Sequence, residues 1–137
     1  MSDPRRLVVV DAANVIGSRA DGWWKDRAGA ARRFLADVAA LTTRLPENTE
    51  VTVVLEGAAK AAADDGAPVA PRMAVVLAER SGDDKIVDVV AGADSYRRIT
   101  VVTADRELRT RVEAHGGESV GPGWLWNQLD RPGSEAD

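Results

Sequence analysis

The chain has 137 residues, 45% of them hydrophobic and 29% charged, with a formal net charge of −4 at pH 7, which suits one globular domain with its own core. It has no cysteine, which excludes a disulfide scaffold, a zinc–thiolate centre and a thiol nucleophile; its one histidine, His115, excludes a histidine-based metal cluster. Any metal must be held by carboxylates, which favours Mg²⁺ or Mn²⁺, and the sequence carries no membrane-spanning apolar run and no signal-peptide core in "MSDPRRL", so the expectation is a cytoplasmic protein without a membrane partner.

The first element is "RRLVVVDAAN" (5–14), an apolar run that ends in a carboxylate, as a strand buried on both faces would. A helix follows over 25–45, its stripe formed by Ala31, Phe34, Leu35, Val38, Leu41 and Leu45, and it stops before Pro46. "EVTVVLEG" (50–57) is a second strand, again closed by an acid. Residues 58–68 read as a loop with a helical turn, and a weaker third strand lies near Met73–Leu77. An aspartate-rich helix, "GDDKIVDVV" onward, runs from about Gly82 to Arg98. "ITVVTAD" (99–105) is a fourth strand, and the helix after it is closed by the glycine pair that follows His115. "ESV" (118–120) suits a short edge strand and "GPGWLWNQLD" a last helical turn or two. Residues 1–130 form one domain, and 131–137 read as a disordered tail.

Strands alternating with helices, the strands apolar throughout, imply an α/β three-layer sandwich with a mainly parallel central sheet of about four to five strands. Ligands of such sheets bind beyond the carboxyl ends of the strands. Asp11 closes the first strand, Glu56 the second, Asp105 lies just past the fourth, and 82–88 opens the helix after the third. These acids would repel one another at one sheet edge unless a divalent cation held them together.

Each acid also has a plainer role. Asp11 suits a helix cap or a turn, Asp105 the N-cap of its helix with Thr103 assisting, and Asp83 the cap of the aspartate-rich helix. Glu56 is on general grounds more often a solvated acid than a ligand, and His115 a surface residue near a helix C-terminus. Asn14 is placed to orient a carboxylate or bind a ligand. Dinucleotide, P-loop and serine-hydrolase motifs are absent. A haloacid-dehalogenase-type phosphatase needs a second acid two residues after its nucleophile, where this chain has Ala13.

With "VVVDAANVIG", "SGDDKIVDVV" and "VVTADRELRTRV" in that order, the chain resembles the PIN-like superfamily, and within it the NYN type, over nearly its full length. The resemblance implies a compact parallel sheet flanked by helices and an acidic pocket that binds Mg²⁺ or Mn²⁺ and cleaves RNA. Carried over by position, it implies Asp11, Asp84 and Asp105 as metal ligands and Asn14 as the pocket asparagine, with Asp88 one turn on as a helper. Asp88 or Glu56 would hold or deprotonate the attacking water. The expected activity is a metal-dependent endoribonuclease. The alternatives are a PIN-like RNA- or protein-binding module with little turnover, and a ribonuclease toxin of a toxin–antitoxin pair.

RNA, single-stranded or structured, would lie along Arg19, Lys25 and Arg27 beside Trp23 and Trp24, basic groups for phosphate next to aromatics for bases. Lys85 is placed to contact phosphate, and Arg106, Arg109 and Arg111 extend this surface only if they face the cleft. A homodimer is an assembly the sequence leaves open.

Overall fold

A computed structural model describes residues 5–64 and 70–131. Five strands form one sheet in the order β3-β2-β1-β4-β5, and every neighbouring pair is parallel. They are β1 (Arg6–Asp11), β2 (Thr49–Leu55), β3 (Met73–Leu77), β4 (Arg98–Val102) and β5 (Glu118–Val120). Six α-helices connect or follow them: α1 (Ala12–Gly17), α2 (Arg27–Thr42), α3 (Ala61–Asp64), α4 (Gly82–Ala91), α5 (Arg106–Ala114) and α6 (Pro122–Leu129).

The strands are apolar throughout because both faces are covered. Val10, Val51, Val53, Leu55 and Val102 point to one side, where α1, α2, α3 and α6 pack through residues such as Val15, Phe34, Leu35 and Leu125. Leu7, Val9, Val54 and Val101 point to the other, against Ile86 and Val90 of α4 and Leu108 and Val112 of α5. Burying one such aliphatic side chain contributes about 1.5–3 kcal/mol, so the two layers together set the stability of the domain. The fold expected from the sequence, a three-layer α/β sandwich on a parallel sheet, is the fold observed.

Several boundaries differ. The first strand stops at Asp11 because its side chain caps α1, a six-residue helix that the apolar sequence disguised as more strand. The aspartate-rich helix ends at Ala91 rather than near Arg98. Beyond Val90 the apolar period fails, and Tyr96 anchors the following loop by donating its hydroxyl to Glu50 Oε1 at 2.5 Å. The segment after β2 holds a 3-10 turn (Gly57–Lys60) running into α3, more ordered than a loop. The glycine pair closes α5 as expected, Gly116 and Gly117 donating their N–H groups to the carbonyls of Glu113 and Val112. Residues 65–68 of the expected loop, and the expected tail beyond Arg131, lie outside the described residues.

No helix among the described residues is long and apolar enough to cross a membrane. The end of α2 and the turn after it are tied together by one side chain from near the edge strand β3. Arg72 donates to the carbonyls of Thr42 and Leu45, to Pro46 O at 2.5 Å and to Thr49 O at 3.3 Å. Arg72→Met keeps the stem and removes those donors. It should cost about 2 kcal/mol, read as a lower urea midpoint with an unchanged slope.

Candidate active site at the carboxyl edge of the sheet

The chain runs from β1 out to β2 and β3, then returns to the other side of β1 to form β4. That reversal opens a crevice beyond the carboxyl ends of β1 and β4, the position where such sheets bind ligands. Asp11 sits there as the last residue of β1, only 4% exposed. Its Oδ2 accepts from the Thr103 hydroxyl at 2.9 Å, and its Oδ1 from the Asn14 N–H at 3.4 Å. Thr103 Oγ1 also accepts the N–H of Asp105 at 3.1 Å, so one buried hydroxyl ties β1 to the start of α5. Asn14 reaches across as well: its Oδ1 accepts the Ala104 N–H at 2.9 Å. The Asn14 side chain thus braces the loop after β4, while only its backbone N–H reaches a carboxylate, that of Asp11.

Asp105 is at once helix cap and cluster member. Its Oδ1 accepts the Leu108 N–H at 3.1 Å while its carboxyl contacts that of Asp83. The partner from α4 is Asp83 and not Asp84. Ser81, rather than Asp83, caps α4, its hydroxyl accepting the Asp84 N–H at 3.2 Å. Asp84 points away, two-thirds exposed, and pairs with Arg111 at 3.0 Å. Asp88 lies on the same outer side, where Asp84, Asp88, Lys85 and Arg80 line a separate hollow of about 140 Å³. Asp84, Asp88 and Lys85 are therefore not brought to Asp11. The hydrophobic period held the signal: Asp83 continues the stripe of Ile86 and Val90, as Asp105 continues that of Leu108 and Val112, so both point toward the sheet.

The fourth acid is Glu56, just past β2. Its Oε1 would stand 2.6 Å from a Cβ on Gly82, the first residue of α4, so only glycine lets the carboxylate lie against that helix end. Among the described residues it has no hydrogen-bond partner.

Burial, then Asp83 and Glu56, push the Asp11 carboxyl up to about 6, against the pull of Thr103 and Asn14. Asp83 is raised too, first by burial and then by Asp105, which is both a charge and a hydrogen-bond partner, with Glu56 adding to it and Arg111 opposing. The donor set is four hard carboxylates short of positive charge, which fits a divalent cation. As placed, no three acidic or imidazole side chains among the described residues stand ready to hold one ion, so the cluster supplies donors rather than a finished coordination sphere.

Beside the acids, past Glu56, opens a cleft of about 270 Å³ walled by Ala13, Ile16, Trp23, Arg27 and Ala59, with Gly57 at its rim. Gly57 has φ of +60°, a left-handed turn that bends the chain around the cleft. The Arg27 guanidinium lies 5.4 Å from the Trp23 ring centre, and Trp24, half exposed, meets Trp23 edge-on. Of the residues expected to bind substrate, Trp23 and Arg27 therefore line this cleft. Arg19 does not: it lies over the Trp126 ring at 3.8 Å and pairs with Asp130 at 2.5 Å, which pins α6.

No protein-family model and no curated protein matches the chain. Among solved structures, it resembles a point mutant of Rae1 (YacP) from Bacillus subtilis, with a TM-score of 0.72 over 90% of this chain and 74% of that one, at 16% identity. That likeness is one of fold: a parallel sheet flanked by helices.

Because the folded protein holds the Asp11 proton more tightly than the unfolded chain, this group stabilises the metal-free domain fully below about pH 4. The contribution, about 3 kcal/mol at most, is lost as pH rises through about 6. Asp11→Asn should flatten that slope and raise the melting temperature at pH 7.5 in chelator, with little change at pH 4. A variant that melts lower than wild type at both pH values would contradict the repulsion.

Proposed function

We propose that the chain is a divalent-metal-dependent endoribonuclease whose site is Asp11, Asp83 and Asp105, with Thr103 and Asn14 holding them in place. The observation that carries this reading is the convergence of acids from the ends of β1 and β2 and the starts of α4 and α5 on one crevice, with Asp11 buried and driven up. The sequence resemblance to NYN-type domains points the same way, and the PIN-like fold agrees with it.

Asp11, Asp83 and Asp105 would hold Mg²⁺ or Mn²⁺, which stabilises charge on phosphoryl oxygens and acidifies water in phosphodiester hydrolysis. The protein's own contribution is positional. Thr103 fixes Asp11 in one rotamer, Asn14 fixes the loop that carries Asp105, and the caps of α4 and α5 fix the two helix ends. The N-termini of those helices favour negative charge, of carboxylates and of a phosphate alike. Arg27 and the Trp23–Trp24 pair carry the single strand toward the acids, and we place the protein in the cytoplasm. One observation favours a second reading, an RNA-binding module without turnover: no three acidic side chains among the described residues stand ready to hold one ion.

The test is cleavage of single-stranded, structured and duplex RNA with Mn²⁺ or Mg²⁺. Asp11→Asn and Asp83→Asn should each lower turnover by at least about a hundredfold while RNA affinity changes little, whereas Asp84→Asn and Asp88→Asn should stay near wild type. RNA bound but never cut would select the second reading.

Millimolar Mn²⁺ should also raise the melting temperature of wild type, and Asp83→Asn should remove most of that rise. An equal rise in Asp83→Asn and wild type would place the ion elsewhere.

A further inference from the structure

The cleft beside the acids has a composition that the acids do not need. Its walls are small and apolar (Ala13, Ile16, Ala59), one side is an indole (Trp23), and its only charged groups are Arg27 and Glu56. Those two charges share the cleft without pairing. Arg27 contacts only the Trp23 ring, and Glu56 has no hydrogen-bond partner among the described residues. Trp23 is partly buried against the core, close enough to Gly17 that a Cβ there would stand 3.7 Å from its Cζ2. The volume, about 270 Å³, equals roughly nine waters at bulk density. That is room for a flat heterocycle and not for a duplex.

An indole, a guanidinium and a carboxylate lining one cleft match three parts of one nucleotide: the base face, the phosphate and a base edge rich in N–H donors. An ionised carboxylate only accepts. Uracil offers it one ring N–H, and cytosine and adenine one exocyclic amine. Guanine alone carries a ring N–H and an exocyclic amine side by side on one edge, which two carboxylate oxygens accept together.

We propose that this cleft is a base subsite that selects guanine in the RNA strand next to the acidic centre, with Glu56 as the specificity-determining residue. The inference rests on the ribonuclease reading for the nature of its ligand, but it can be measured without turnover. Glu56 would then serve a base edge in place of the ion, and the missing side chain of Gly82 leaves its carboxylate room at the start of α4.

The experiment compares two RNA probes in chelator, an oligouridine carrying one central guanine and its all-uridine counterpart, by quenching of tryptophan fluorescence and by competition. Wild type should bind the guanine-containing strand at least about tenfold tighter. Glu56→Gln, which exchanges one acceptor for a donor, should bring the two within about twofold while leaving the all-uridine affinity in place. Trp23→Ala should weaken both strands, and Arg27→Gln should weaken both while flattening the salt dependence. Matching melting curves will show that each variant is folded. Equal affinities in wild type, or a guanine preference that survives Glu56→Gln, would overturn the proposal. Guanosine 5′-monophosphate competing better than the guanine-containing strand would make a free nucleotide the ligand and overturn the assignment to RNA. Guanine-selective binding without cleavage under Mn²⁺ would uphold the subsite and remove the nuclease reading. Cleavage at random bases with no guanine preference would do the reverse.

Discussion

β1 lies between β2 and β4, parallel to both, and its central place dictates the chemistry of the domain. Parallel pairing sends all five strands toward one edge, and each connecting helix must start there and run back. The edge thus collects strand carboxyl ends and helix N-termini, with their exposed N–H groups, in a single row. An acid at the end of the central strand cannot avoid that row. Asp11 is held in it by the Thr103 hydroxyl just past β4 and an amide from α1, so the most buried acid among the described residues is tied down from two sides.

That arrangement has an internal conflict which the scaffold sustains rather than removes. Asp11 is pushed toward neutrality by burial and by two other acids, while Arg111 is occupied with Asp84. An aliphatic residue at position 11 would suit the core better. Local rules are broken in this way where a ligand is expected to complete the balance. Where α6 meets the end of α1, Arg19, Trp126, Ser18 and Asp130 satisfy one another, with Trp126 Nε1 donating to Ser18 Oγ at 2.9 Å. There the protein is finished; at the acids it is not.

The architecture was legible because buried parallel strands leave long apolar runs, and β1, β2 and β4 are such runs bounded by acids. α1 was not legible. Five of its six residues are apolar, and one turn and a half is too short to show a period against the strand before it. The acids at strand ends could be read, since only topology is needed to gather them. Which member of Asp83–Asp84 turns inward needed the phase of α4, and the resemblance supplied a motif rather than a phase. Arg19 looked available because the pairing that occupies it comes from Asp130, 111 residues away. Such long-range partners leave no local trace.

The phase of α4 carries a consequence for how this region tolerates changes of length. Ser81 fixes where the helix begins, and each residue after it turns the side chain by about 100°. An insertion between Ala78 and Ser81 would move the cap and everything behind it together, leaving the angular placement of Asp83 over Ile86 intact. The same insertion between Ser81 and Ile86 would either rotate Asp83 away from the sheet edge or force Ile86 and Val90 out of the core. Two points one helical turn apart thus differ in kind: one is a spacer that drift can lengthen, the other a gear tooth that it cannot.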